Sequence, residues 1–178
     1  RRRRQRPRHG VGRDGLLRYL TSGIADPTGR PISMLSFLID ANDWPADPAP
    51  FKRTNIVLHL LNGALLACVL AGLGRHLSLS DDHRRSAAVL GAALWTLHPL
   101  FVSTTLYIVQ RQAMLPATFT LVGMHLWLTG TERYAQGRTG AWWRLVAGAW
   151  ACTALATLSK ANGILLPMLL LTIEWALP

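Results

Sequence analysis

Beyond residue 54 the chain is dominated by apolar blocks, each long enough to be weighed as a membrane crossing. They cover residues 55–73, 86–107, 114–129, 141–158 and 161–177. A helix needs about 20 predominantly apolar residues to cross the hydrocarbon core of a bilayer. In lipid every backbone N–H and C=O must be paired, so blocks of this length and composition are expected to be helices. A barrel strand would alternate apolar and polar residues, and none of the blocks does. The expected fold class is an all-α integral membrane protein of about five transmembrane helices. The last two blocks, separated by Ser159-Lys-Ala-Asn162, read as a tight helical hairpin, with a kink expected at Pro167.

The rest of the chain differs in character. Residues 1–9 form a basic tail, Arg1-Arg-Arg-Arg-Gln-Arg-Pro-Arg8 and His9, which supplies much of the formal net charge of +10. Beside membrane spans such a run reads as attraction to anionic lipid headgroups. A nucleic-acid partner would need aromatic or structured groups among the arginines, and there are none, so none is expected. Residues 10–54 read as a loop with interfacial helices. Leu16, Leu17, Leu20 and Ile24 share one helical face, and Ile32, Leu35, Leu38 and Ile39 share another. Trp44, Trp142, Trp143 and Trp175 stand at block ends, where aromatic belts anchor spans. Residues 55–178 form the expected bundle. The start at Arg1 and an apolar block running to the end suggest a piece of a larger protein.

Charges in the connections set an orientation. Arg75, Arg84 and Arg85 lie in one loop and Arg133, Arg138 and Arg144 in another, which makes these loops cytoplasmic. The turns at Arg111 and Lys160 are then outside. The arginine run conflicts with this, because it would also lie outside unless a further span precedes it. Cys68 and Cys152 sit in apolar blocks and read as small buried hydrophobes. No metal-ligand spacing is present, and no metal or cofactor is expected.

Ionisable and amide side chains at membrane depth are costly and therefore candidates for function. His59 and Asn62 share a face of the first block. His98-Pro99 interrupts the second, with Gln110 and Arg111 at its end. His125 and Glu174 read as a packed histidine and a terminal interfacial charge. Each candidate also has a plain reading: hydrogen bonds between helices for His59 and Asn62, a helix stop for His98-Pro99, and interfacial snorkelling for Arg111 and Lys160. The sharper reading gathers Arg30, His59, Gln110, Arg111 and Lys160 at one membrane face. Such a set could hold a phosphate, arginine acting as a planar fork and lysine as a point charge. A glycosyl transfer there would also need a carboxylate base.

Several runs, taken in order, resemble a family of bacterial polytopic membrane proteins. They are Gly29-Arg-Pro-Ile-Ser-Met-Leu-Ser-Phe37, Trp44-Pro-Ala-Asp-Pro48, Phe51-Lys52 and Asn55-Ile-Val-Leu-His-Leu-Leu-Asn-Gly63. Leu97-His-Pro-Leu100, Tyr107-Ile-Val-Gln-Arg111 and Leu158-Ser-Lys-Ala-Asn-Gly163 through Pro167 follow. The family is that of GT-C-type glycosyltransferases related to protein O-mannosyltransferases, some of which carry tetratricopeptide repeats. The resemblance implies a multi-pass protein of the bacterial inner (cytoplasmic) membrane, and residues 10–54 as an extracytoplasmic loop. It implies a polyprenyl-phosphate-linked sugar donor used at the outer face, and a protein or glycan acceptor. It extends the lipid-phosphate and substrate-binding set to Arg30, His59, Asn62, His98, Gln110, Arg111 and Lys160. The family's catalytic Asp pair would precede Gly10, where the arginine run stands. Some relatives carry an Asp where this chain has Ala113. Asp26, Asp40, Asp43 and Asp47 do not match the catalytic pattern, so the chain as it stands is expected to be inactive. The alternative is a non-catalytic membrane scaffold or partner-binding protein of the same architecture. A transporter is weaker, since no inverted repeat is visible.

Overall fold

The computed structural model describes residues 15, 19–20, 29–41 and 45–177. The basic tail, Leu16, Leu17, Ile24, Trp44, Asp26 and Asp43 lie outside these. Helix accounts for 84% of the described residues, with no strand among them, which agrees with an all-α class.

The first described helix, α1 (Pro31–Leu38), is short and starts on a proline. Then comes α2 (Pro48–His76), of 29 residues. Asp47 caps it by accepting the Ala49 N–H at 3.0 Å, and Pro48 fills the first turn, where a missing N–H is harmless. At 1.5 Å per residue this helix is about 44 Å long. With a mean hydropathy of 2.2 over its most apolar 18 residues, α2 is the one described helix both long and apolar enough to cross a membrane.

The second block is not one helix. It divides into α3 (Asp81–Thr96) and α4 (Phe101–Leu106). Pro99 has no N–H to continue the ladder and pushes His98 away from helical geometry, so the chain turns over residues 97–100. A single helix over 86–107 is therefore replaced by helices of 16 and 6 residues. A 3₁₀ turn (Ile108–Gln110) leads into α5 (Arg111–Ala135), which extends beyond the apolar stretch at both ends.

The fourth block is continuous: α6 (Ala141–Val146), a π-helical turn (Ala147–Ala151) and α7 (Cys152–Ser159). Lys160 is extended, with φ −163° and ψ 142°, and ends the helix. A 3₁₀ segment (Ala161–Leu165) then feeds α8 (Leu166–Ala176). Pro167 lies in the first turn of α8 rather than its interior, so it starts this helix instead of kinking it.

Long elements alternate in direction, and α5 is the hub, packed against α2 on one side and α6–α7 on the other. The π turn brings Gly148 against Gly123. A Cβ on Gly148 would stand 2.9 Å from the Gly123 carbonyl oxygen, so only glycine allows this approach. The interior mixes apolar side chains such as Val69, Leu128 and Leu166 with enclosed polar ones, and large apolar side chains also cover the surface. Arg111, Asn55, Asn62, Ser33 and Ser159 are fully or almost fully buried, while Leu94, Leu97, Trp150 and Trp175 are exposed.

Candidate functional site

One end of the bundle collects the start of α2, the α3–α4 turn, the start of α5, the end of α7 and α1. A polar stripe on α2 faces inward there. Asn55, His59 and Asn62 are spaced i, i+4, i+7, and all three are buried while Val57 and Leu60 point outward. His59 donates from Nε2 to the Thr96 carbonyl at 2.8 Å and stacks on Trp95, with ring centroids 5.1 Å apart. Asn62 donates to the Met114 carbonyl at 3.1 Å and accepts from the Thr118 hydroxyl at 2.7 Å. Asn55 donates to the Tyr107 carbonyl at 3.1 Å. These bonds join α2 to α3 and α5, so His59 and Asn62 serve between helices in the arrangement seen here.

Arg111 is enclosed. Its Nε donates to Asn55 Oδ1 at 2.9 Å, Nη1 to the Ser36 carbonyl at 2.8 Å and Nη2 to the Phe51 carbonyl at 2.9 Å. Nη2 also lies 2.5 Å from Asp40 Oδ2, an ionic contact without the alignment of a hydrogen bond. The guanidinium sits 5.1 Å from the Phe37 ring centroid and 5.6 Å from that of Phe51. With no exposed surface and its edges taken by protein groups, it clamps the α1–α2 connection onto α5. An outside phosphate has no access to Arg111 in this arrangement, which departs from the lipid-phosphate role expected of it, and from snorkelling as well.

Arg30 and Lys160 are placed differently. Arg30 precedes α1 in the left-handed region, at φ 54°, a strained conformation for a residue with a Cβ. Its Nη1 donates to Gln112 Oε1. The Ser33 hydroxyl donates to the Ser159 carbonyl at 2.8 Å, satisfying a helix-end acceptor of α7. Arg30 is three residues before Ser33 and Lys160 directly follows Ser159, so this contact brings the backbone of both residues to the junction of α1 and α7. Lys160 is half-buried and makes no ion pair among the described residues.

His98 and Gln110 are exposed. His98 Nδ1 accepts the Leu100 N–H at 3.2 Å and so braces the α3–α4 turn. Gln110 precedes α5 without a side-chain capping bond. His59 and His98 share a shallow groove of about 300 Å³ with Phe101. Neither lies with Arg30 and Lys160 in a common pocket among those described.

The residues passed over are Asn55, Asp40, Ser33 and Gln112. The Asn55/His59/Asn62 spacing carried a readable signal for the first. Nothing local marks the other three, because their partners are distant in sequence. At the opposite end Arg75 pairs with Glu132 at 2.6 Å, and the Trp127 indole donates to Glu174 at 3.0 Å. Among the described residues no group of His, Cys, Asp and Glu has the arrangement of a metal site. Comparison with protein-family models, curated proteins and solved structures finds no match.

Proposed function

We propose that this chain belongs to a multi-pass glycosyltransferase of the bacterial inner membrane, which takes its sugar from a polyprenyl-phosphate donor at the outer face. In this reading the five helical blocks lie in the bilayer, and Arg30 with Lys160 holds the donor phosphate. The enclosed polar groups, together with the large apolar side chains on the surface, support the membrane part. Arg111, Asn55 and Asn62 find partners inside, while large apolar side chains such as Leu97, Trp150 and Trp175 face outward. That is the arrangement a hydrocarbon solvent favours. Lys160, which has no ion pair among the described residues and follows the Ser159 carbonyl that binds α1, supports the phosphate assignment.

Two measurements test this. Single cysteines in a background lacking Cys68 and Cys152, placed at Ser78, Gln110, Gly137 and Ala161, should label from alternate sides in spheroplasts. Labelling of all four from one side overturns the five-crossing arrangement. Undecaprenyl phosphate should bind the purified chain, and Lys160→Ala should weaken that binding. Unchanged affinity removes the site.

A second reading is favoured by the carboxylates. Transfer needs a base, and the described carboxylates at this end are both engaged: Asp40 with Arg111, and Asp47 with the Ala49 N–H. A non-catalytic, partner-binding membrane protein of the same architecture accommodates this. Sugar transfer by the purified chain would exclude it.

A further inference from the structure

A groove opens between α1, the first turn of α2 and residues 106–109. It has a volume of about 640 Å³ and is walled by Phe37, Phe51, Leu106, Tyr107 and Val109, with Lys52 at its rim. Two properties separate it from ordinary exposed apolar surface. Its floor is stiff, because Phe37 and Phe51 are the rings held beside the buried Arg111 guanidinium. Its rim is cationic and uncompensated. Lys52, its one cationic lining residue, is exposed and makes no ion pair among the described residues. The two described carboxylates nearby, Asp40 and Asp47, are committed to Arg111 and to the cap of α2. Lys52 also lies in the first turns of α2, the helix long enough to cross a bilayer, so the groove stands at one end of that helix.

We propose that this groove docks one anionic phospholipid, with its phosphate on Lys52 and one acyl chain along Phe37, Phe51 and Val109. Charge complementarity selects the occupant. A zwitterionic lipid gains little from an unpaired ammonium, whereas an anionic headgroup gains about 1 kcal/mol per lysine near the surface. The apolar walls of this trough, from Phe37, Phe51, Leu106 and Val109, offer a free phosphate nothing to bind. The proposal rests on the membrane reading above and is independent of the transferase assignment.

The test uses the full chain in nanodiscs of mixed phosphatidylglycerol and phosphatidylcholine, with retained lipid counted by native mass spectrometry. The wild type should retain phosphatidylglycerol in preference. Lys52→Ala should lower that preference roughly five-fold. Val109→Trp, which fills the trough without touching charge, should lower retention of both lipids, with helical content by circular dichroism unchanged. Equal retention of the two lipids by the wild type overturns the proposal, as does unchanged preference in Lys52→Ala. If undecaprenyl phosphate displaces phosphatidylglycerol in the wild type but not in Lys52→Ala, the groove belongs to the sugar donor, and the proposal also fails. Failure of the chain to enter nanodiscs at all sinks the membrane reading itself, and is distinguishable from loss of preference by an inserted chain.

Discussion

The guanidinium of Arg111 and the carboxylate of Asp40 lie 2.5 Å apart, with the arginine side chain fully enclosed and that of Asp40 only 9% exposed. This pair ties the connection that follows α1 to the first residue of α5. Asp40 is tied a second time, through the Thr54 hydroxyl at 2.9 Å. Removing one charge strands the other in an enclosed site. Asp40→Ala should therefore destabilise the fold by about 3–5 kcal/mol. The double variant Asp40→Ala with Arg111→Met should recover part of that loss, because neither charge remains. Thermal unfolding in a mild detergent reads both. A double variant as unstable as the sum of the singles would show that the pair is not coupled.

Asn62 bridges α2 and α5 through both ends of its amide. Asn62→Leu keeps the volume and frees the Thr118 hydroxyl to donate instead to the Met114 carbonyl, which lies 3.0 Å away. The loss should stay near 0.6–1.7 kcal/mol, the range of interhelical hydrogen bonds in membrane bundles. Asn62→Asp should be worse, since a carboxylate opposite the Met114 carbonyl has no donor to offer unless protonated. Chemical denaturation of the two variants, ranked against wild type, checks the order.

The sequence was most readable where periodicity and punctuation act locally. The apolar blocks became helical, the second in two pieces split at Pro99, as their length and lack of apolar/polar alternation foretold. His98-Pro99 marked a stop and the structure turns there, braced by the His98 ring. Helix ends were less readable. Gln112 and Glu132 lie beyond the apolar stretch yet continue α5, since both are good helix formers, and they bind Arg30 and Arg75. The role of Arg111 was least readable. Its partners Phe51 and Ser36 lie 60 and 75 residues away, so no window along the chain distinguishes a buried clamp from an interfacial cation. Pro167 misled for a related reason: whether a proline kinks or begins a helix depends on where the preceding 3₁₀ segment ends.

Gly148 and Gly123 set how closely the π turn approaches α5. A Cβ on Gly148 would meet backbone oxygen, which cannot swing aside as a side chain could. Gly148→Ala should cost about 1–3 kcal/mol through forced separation of the helices. Gly137 is different: a Cβ there meets nothing within 4 Å, and only its left-handed φ of 62° resists substitution. Gly137→Asn should therefore be nearly neutral, because asparagine tolerates that region. Unfolding temperatures of the two variants should separate clearly, and a similar drop in both would argue against close packing at Gly148.

Lys160 allows function to be measured apart from stability. Its ammonium has no carboxylate among the described residues, whereas Arg30 holds Gln112 and Arg111 holds four groups on α1, α2 and the connection between them. Lys160→Ala should shift stability by less than about 0.5 kcal/mol, as for substitutions that break no buried contact. If Lys160 holds a lipid phosphate, the same change should weaken undecaprenyl-phosphate binding several-fold, since charge-assisted hydrogen bonds are worth roughly twice neutral ones. Lys160→Arg should restore most of that binding, because the charge is kept, though the planar fork fits less well than a point charge where space is limited. Arg111→Ala would lower binding too, but only along with the unfolding temperature. A loss of binding in Lys160→Ala at constant stability, rescued by arginine, identifies a ligand contact. A parallel fall in stability would instead assign Lys160 to the junction between α7 and the 3₁₀ segment.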